Sequence, residues 1–579
     1  MLFYVLIDKE EVMRFSPVPE MDKLSKKVLR PGLPLSYLQY YLKDLISSDK
    51  ITFKKKLQNI ETSIINQLVK GLKKDEAIVE TQFNWQEGFQ SKIHLNEEIF
   101  SRIITAIQGR LITEGELPVI ARTIGISEKE LLVILNEAVS RGFGDWLPAI
   151  SRNQAGWICE RCNSNNRIQE WPSLYGQAAT CKECDILGAQ TSLQTIFKFN
   201  PANLHLEQPL LLDHDEDQLD EKWSIQFTTA QANAAKKLIE YTEEQKAREV
   251  LLWAACGAGK TEVSFPLIAR YLAQKKKVLF TAPRQDVAHD VHPRLLKNFP
   301  KVSIKLMSGA VVQEFKESAL TVSTTHQTLK FYRYFDLIIF DEVDAYPYSG
   351  SAVLNHGLKT ALSESGQIVY LTATPSDELI KKASSGQCPI IRLPIRHHGH
   401  HLPLPQWVKI PLKVDNPLKT EPTLSGNVTE SLDTILREVM LKGPLLVFVP
   451  LVAMVTEWIK ILQKMFPLKT VDGSWSYDPK RREKVNSFQE QKYDIFLTTS
   501  ILERGITVPG VQVVVLYADH QIYDVRSLVQ MAGRTGRTID SPTGTVIFLA
   551  SSETKSMKDA RKWIQEQNTF AKQEEVQNA

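Results

Sequence analysis

Four short segments hold the residues best suited to chemistry. Ala255-Cys256-Gly257-Ala258-Gly259-Lys260-Thr261 is a glycine-containing loop that ends in Lys-Thr. Gly257 and Gly259, with Ala258 between them, let backbone N–H groups approach phosphates, and a helix beginning here adds its N-terminal partial charge. Lys260 would reach the β- and γ-phosphates, and the Thr261 hydroxyl would bind Mg²⁺. Ala254 stands where the strict form of this loop has glycine. The second segment is Asp341-Glu342-Val343-Asp344. Asp341 would hold Mg²⁺ through water and Glu342 would orient or deprotonate an attacking water, while Asp344 ties the loop to its neighbours. The third, Gln530 to Arg537, carries Arg534 and Arg537, cations suited to offsetting charge in phosphoryl transfer. Cys159, Cys162, Cys181 and Cys184 form two CxxC pairs 18 residues apart, a spacing that suits a structural four-thiolate zinc site. An Fe–S cluster and a labile disulfide pair are the alternatives.

Such groups must be held by strands that end at one edge. VLLWAA (250–255), VLFTAP (278–283), FDLIIFDE (335–342) and QIVYLTAT (367–374) alternate with helical patterns, as in a parallel α/β sheet. LLVFVP (445–450), YDIFLTTS (493–500), VQVVVLYA (511–518) and TVIFLAS (545–551) form a second series after a joint rich in Pro and His. The cationic segment belongs to the second series, so closure of the two lobes would be coupled to hydrolysis.

Composition bounds the rest. The 579 residues suggest about four domains, and 43% hydrophobic with 24% charged residues exclude a disordered chain. A net charge of +3 does not by itself point to nucleic acid. Six cysteines are too few for a secreted disulfide scaffold. The longest apolar stretch, Gly443 to Val455, is too short to span a membrane, and the start MLFYVLIDKEE lacks the basic region of a secretory signal. A soluble cytoplasmic protein is expected.

Read in order, TTAQ (228–231), ACGAGKT, TAPRQDV (281–287), STTHQTLKF (323–331), DEVD, TAT (372–374), TTSILERGITVP (498–509) and QMAGRTGR resemble a superfamily-two helicase or translocase with two RecA-like lobes. CGAGKTE, PRQDV, TTHQTL, IIFDEVDAYPYS, TTSILERGITVP and DARKWIQEQN, with the cysteine pairs ahead of the motor, resemble the ComFA late-competence family over roughly residues 155–572. The resemblance implies an ATP-driven motor for single-stranded DNA import during natural transformation in a Gram-positive-type bacterium. It also implies, as partners, the competence DNA channel and other late competence proteins, with peripheral placement at the inner face of the membrane. By the same resemblance Gln231 reads adenine, and Thr281, Pro283 and Arg284 hold the DNA backbone, as do Thr324, Thr325 and His326. Thr372 to Thr374, with Gln530, link hydrolysis to lobe movement. Thr499, Glu503, Arg504 and Gly505 contact DNA and nucleotide. A primosomal-type DNA helicase of replication restart, an RNA helicase, and a scaffold switched by ATP are the competing readings. In primosomal helicases the cysteines lie between motor motifs, whereas here they precede them.

The expected organisation is an α/β chain of two tandem RecA-like parallel-sheet lobes, preceded by a small zinc ribbon-like module and a mostly helical N-terminal region. Residues 1–150 are expected to be that region, with mixed helical and extended patterns to about Gln90 and a helix-turn-helix outline at 117–142. That outline is common in helical bundles with no DNA role, with DNA binding as the alternative, and the region exceeds the family pattern. The zinc module is placed at 155–190, an acidic linker at 191–222, lobe 1 at 223–393, the joint at 394–424, and lobe 2 with a C-terminal helix at 425–579. Arg161, Arg167 and Lys182 either touch phosphate or offset thiolate charge. Trp157, Trp171 and Tyr175 either stack on bases or form a small core. His397, His398, His400 and His401 suit a linker, with metal binding as the alternative. Cys256 and Cys388 are read as packed thiols.

Overall fold

A computed structural model describes residues 1–8, 13–17, 25–42, 60–74, 84–87, 96–200, 225–244, 247–309, 315, 317–348, 350–412, 426–503 and 506–578. Most of the acidic segment, the tail of the joint after Leu412, and both Arg504 and Gly505 lie outside the described residues.

Lobe 1 is built on a seven-stranded sheet whose paired strands all run parallel. Its spatial order is Ile304–Met307, Leu320–Thr324, Val278–Ala282, Phe335–Asp341, Leu362–Thr372, Glu249–Ala254 and Ile390–Leu393. Along each central strand, successive apolar side chains enter different cores. Val250, Leu252, Leu337 and Ile339 face one, and Leu251, Ile338 and Phe340 face the other. A strand buried on both faces needs an unbroken apolar run, which is how these segments read. Lobe 2 is a six-stranded parallel sheet in the order Gln406–Lys409, Val546–Ala550, Gln512–Leu516, Leu445–Phe448, Ile495–Thr498 and Val471–Ser474. One apolar cluster runs through both lobes, joining Val250 and Leu252 to Phe448, Val513 and Ile564 of the C-terminal helix Lys555–Asn578.

The N-terminal region combines helices with a four-stranded sheet formed by Phe3–Asp8, Met13–Ser16, Ser25–Leu33 and Asn84–Glu87. Helix Leu117–Ile124 ends at Gly125 with φ of 82°, and Ser127 caps helix Glu128–Ser140 through a reciprocal bond with Glu130. The apolar faces of both helices are buried in the N-terminal core. The acidic linker placed from residue 191 has to be moved. Thr195–Phe199 is a strand between Leu111–Thr113 and Gly144–Pro148, and Ile196, Phe197 and Phe199 are at most 1% exposed. The cysteine module is therefore inserted between two strands of one N-terminal sheet, because the apolar residues after it return to that core.

This body is tightly fitted to lobe 1. Arg110, 4% exposed, lies over the rings of Phe315 and Phe331, and the Tyr332 N–H donates to Gly109 O at 2.8 Å. Glu116 sits 3.8 Å from Arg110 and 3.5 Å from Lys330. Burial lowers the pKa of Arg110 and of Lys330, and these two cations hold Glu116 low against its own burial. Gly109 has φ of 65°, and a Cβ there would lie 2.2 Å from the Tyr334 ring. The close approach needs glycine at this point.

Candidate nucleotide and nucleic-acid site

The phosphate loop sits at the carboxyl end of Glu249–Ala254, with Gly257 and Gly259 at φ of 83° and 76°. Helix Lys260–Val263 starts at its last residues. Thr228 caps helix Thr229–Ile239 and engages Gln231, whose side-chain amide donates to Ala258 O at 2.9 Å. A Cβ at Gly259 would lie 2.5 Å from that amide nitrogen. Gln231 thus braces the loop and leaves no room for any other residue at 259.

Asp341, 2% exposed, closes the site opposite. Lys260 Nζ lies 2.8 Å from its Oδ1, and Thr261 Oγ1 donates to its Oδ2 at 3.1 Å. A carboxylate and a hydroxyl this close are hard oxygen ligands, the donor set that suits Mg²⁺. Glu342 is 7% exposed and takes φ of 54°, a left-handed conformation unusual for a non-glycine residue. Its Oε2 has no hydrogen-bond partner among the described residues. A buried carboxylate oxygen left without a protein donor suits a water to be oriented.

The turn after Leu362–Thr372 connects the acidic turn to the second lobe. Asp344 accepts from Thr372 Oγ1 at 2.6 Å and from Thr374 Oγ1 at 2.5 Å, and Thr374 Oγ1 in turn accepts from Gln530 Nε2 of lobe 2 at 2.9 Å. Cys256 Sγ lies 3.4 Å from Gln530 Oε1, so the chain of contacts returns to the phosphate loop. Trp253 contributes a further contact, donating to Ala373 O at 3.1 Å and packing on Trp563 of the C-terminal helix at 5.4 Å. The sequence reading missed Trp253, since nothing local links a strand tryptophan to a helix at the far end of the chain.

Arg534 and Arg537 are both brought to the cleft by the turn after helix Val525–Ala532, with different surroundings. Arg534 is 4% exposed and donates to Ile506 O at 2.7 Å. Arg537 donates to Gly533 O at 2.8 Å, and its pKa is lowered by burial, opposed by Cys256, Glu342 and Asp290. Arg537 thus sits in the field of the candidate base. Asp290 and Arg294 of helix Gln285–Asn298 also border the site and were missed by the sequence reading. Burial and the neighbouring Asp341 raise Asp290, and Arg294 pairs with Glu262 and with Asp290 at 3.0 Å.

The expected nucleic-acid residues separate into two groups. Thr281 is fully buried in its strand and its hydroxyl donates to Ser323 O at 3.2 Å. It supports the motif and cannot touch a strand directly, which corrects that expectation. Thr324 and Thr325 are also buried, and the Thr325 hydroxyl has no partner among the described residues. His326 is half-buried, with its pKa lowered by burial. Arg284 reaches across the cleft to Ile501 O at 3.0 Å and to Glu503 at 3.3 Å, beside the buried Thr499. Arg481 of lobe 2 pairs with Asp286 two residues further on. These residues form the rim where the two lobes meet.

The four cysteines converge at the tip of the inserted module, all buried. Cys159 to Cys184 is 3.8 Å, Cys162 to Cys181 is 3.7 Å, and Cys181 to Cys184 is 3.8 Å between sulfurs. The edge of a tetrahedron with Zn–S near 2.3 Å is about 3.8 Å, so the sulfurs fit zinc. Arg161, 1% exposed, donates to Cys184 Sγ at 3.1 and 3.3 Å and to Cys184 O at 2.6 Å. Of the two roles open to it, offsetting thiolate charge is the one this geometry allows. Trp157 packs with the cysteines, while Trp171 donates to Thr180 at 2.8 Å and Tyr175 packs on Tyr37. The module's core includes Leu329 and Leu354 of lobe 1, beside the Thr324-Thr325-His326 segment. Of the histidines of the joint, His397 and His398 are engaged with backbone, and the cysteines are the one potential metal cluster among the described residues.

Two parallel-sheet lobes that bring a phosphate loop, an acidic turn and an arginine turn to one cleft define a superfamily-two, helicase-type ATP-dependent enzyme. Comparison with family models agrees: "Type III restriction enzyme, res subunit" matches residues 224–377 and "Helicase conserved C-terminal domain" matches 427–538. The chain is 34% identical to competence protein ComFA of Streptococcus pneumoniae over 465 residues, 80% of this chain and 98% of that protein. It is 35% identical to competence protein ComFA of Bacillus subtilis over 433 residues, 73% of this chain and 88% of that one. The chain belongs to the ComFA family of competence proteins. An aligned share of 80% is more than residues 155–579 can hold, so the relationship extends into the N-terminal region that the motifs left outside it. Among solved structures, yeast Dbp5 bound to RNA and ADP BeF3 is 16% identical with a TM-score of 0.42, covering 61% of this chain and 92% of that one. No helix among the described residues is long and apolar enough to cross a membrane.

Proposed function

We propose that the protein is a DNA-stimulated ATPase that moves single-stranded DNA during natural transformation. The observation that carries the reading is that Lys260, Thr261 and Asp341 from lobe 1 face the turn bearing Arg537 from lobe 2, while the same apposition seats Arg284 against Glu503 at the rim. Nucleotide chemistry and the strand-binding rim then share one closure coordinate. In this reading Lys260 and the loop N–H groups bind the phosphates, and Gln231 adds adenine recognition to its bracing of the loop. Mg²⁺ is held by Thr261 and Asp341 and supplies charge neutralisation. Glu342 takes the proton of the attacking water, and Arg534 and Arg537 offset charge at the γ-phosphate. Arg284, Thr324, His326 and Thr499, joined by Arg504, line the path of the DNA backbone and carry no sequence information, with Thr325 buried beneath them like Thr281. Thr372, Thr374, Gln530 and Glu503, joined by Gly505, transmit the change. Zinc at Cys159, Cys162, Cys181 and Cys184 is structural. The protein works in the cytoplasm at the inner face of the membrane, with the competence channel and other competence proteins as partners.

Purified protein with Mg²⁺ should hydrolyse ATP faster when single-stranded DNA is added, and Lys260→Ala should abolish the turnover without unfolding the chain. Stimulation by RNA in preference to DNA, or none by either, defeats the reading.

A further inference from the structure

We infer that Arg396, in the joint between the lobes, is a positioning residue that sets the register between the phosphate loop and the arginine turn. The inference rests on the ATPase reading above, to which it adds a residue outside every motif discussed so far. Arg396 is 1% exposed. Its Nε donates to Cys256 O in the phosphate loop at 3.0 Å. Its two terminal nitrogens donate to the turn that precedes Arg537: Nη1 to Gly536 O at 2.5 Å, and Nη2 to Thr535 O at 2.9 Å and to Gly533 O at 3.4 Å. One rigid planar fork therefore grips backbone from both lobes at once. The next two residues repeat the pattern. His397 Nδ1 lies 3.0 Å from Gly257 O, and His398 Nε2 lies 2.9 Å from Gly536 O. A carbonyl can only accept, so each of these ring nitrogens carries its proton. His398 Nδ1 accepts from the His400 N–H, which makes His398 neutral, in line with a pKa lowered by burial.

The surrounding geometry is built around this fork. A Cβ at Gly533 would lie 2.5 Å from Cys256 Cβ, and one at Gly536 would meet Pro542 O at 2.5 Å as well as Arg396 Nη1 at 2.9 Å. Gly533 is thus needed for the close seat on the loop, and Gly536 for the packing of the turn against Pro542 and the fork. Stability alone is a poor reason for the residue. Among the described residues Arg396 has only carbonyls as hydrogen-bond acceptors, and burial, with Arg537 adding repulsion, pushes its pKa down to about 10. A buried guanidinium without a carboxylate costs desolvation that an apolar side chain of similar volume would not. What an apolar residue cannot do is bind carbonyls of both lobes at once.

Cys256 supplies a readout that does not depend on hydrolysis, because its thiol is covered by Gln530 and Gly533 of lobe 2. The full-length, zinc-loaded, nucleotide-free protein is treated with iodoacetamide, and Cys256 and Cys388 alkylation is followed by peptide mapping. Cys388 is buried inside lobe 1 and reports general unfolding. In Arg396→Ala and Arg396→Lys the Cys256 rate should rise about tenfold, with Cys388 unchanged. In ATPase assays with DNA, kcat should fall about tenfold while KM for ATP stays within about threefold, the pattern of lost alignment rather than lost binding. Arg396→Lys keeps the charge and should not rescue. Unchanged Cys256 labelling in both variants, or Cys388 labelling that rises in step with it in both, overturns the inference. If wild-type protein hydrolyses no ATP, the proposed function fails, and the alkylation rates alone decide the role of Arg396.

Discussion

The cysteine cluster and the cleft between the lobes are built in opposite ways. All four thiols come from a stretch of 26 residues, from Cys159 to Cys184, buried and closed over by Arg161. The cleft draws on Gln231 at one end and Arg537 at the other, and its parts belong to two lobes. A closed site of local origin has one arrangement and acts by holding shape. A site split between bodies is completed only when they close, which allows binding at one place to move another.

Removing metal should have the largest effect, confined to the first of these sites. Cys181→Ser, or zinc stripped by a chelator, should forfeit much of an apparent binding free energy on the order of 10 kcal/mol. Zinc content and protease resistance of residues 150–191 should both fall, while nucleotide binding by the lobes persists. Retention of a full equivalent of zinc by the serine variant would contradict a four-thiolate site. Next comes Glu342→Gln, which should lower DNA-stimulated kcat by roughly 10²- to 10⁴-fold with ATP still bound. Activity close to wild type would take the base role away from Glu342. Thr374→Val removes the hydroxyl shared by Asp344 and Gln530, leaving a half-buried carboxylate with one donor fewer. A cost of about 1–3 kcal/mol is expected, seen as a lower melting temperature and weaker stimulation by DNA. Full stimulation in that variant would show that the lobes communicate by another route. Smallest should be Arg526→Ala, which breaks a rim pair with Asp377 at 2.8 Å where Asp377 is 84% exposed. Melting should shift by less than about 1 kcal/mol of stability and the shift should vanish in high salt.

The parts of the fold that could be read directly were those set by local pattern. The strands FDLIIFDE and LLVFVP declare burial on both faces, and the loop 255–261 declares a phosphate contact through two glycines and a Lys-Thr pair. The cysteine spacing declares its geometry for the same reason, since two short knuckles need few other residues. What escaped were contacts between distant segments. Trp253 on Ala373, Arg294 on Glu262 and Arg396 on four carbonyls involve residue types with many ordinary uses. The joint RHHGHH read as a linker because its partners are backbone atoms, which leave no trace in side-chain identity. Thr281 was misplaced for a related reason. Its motif lies at the rim, but strand alternation points this one side chain inward.

By itself, then, the amino-acid order determined which chemistry is present: a phosphate loop, an acidic turn, an arginine turn and four thiolates, each encoded within a few residues. Tertiary structure alone decided which of these meet. It returned Thr195–Phe199 to the N-terminal sheet, so that the cysteine module becomes an insertion beside Leu329 of lobe 1. It also placed Arg537 in the field of Glu342 and seated Arg534 against Ile506. The physical reason is range. Glycine conformation, capping and metal geometry act over a few bonds, whereas closure of two lobes is settled by apolar burial and buried polar pairing summed over the whole chain.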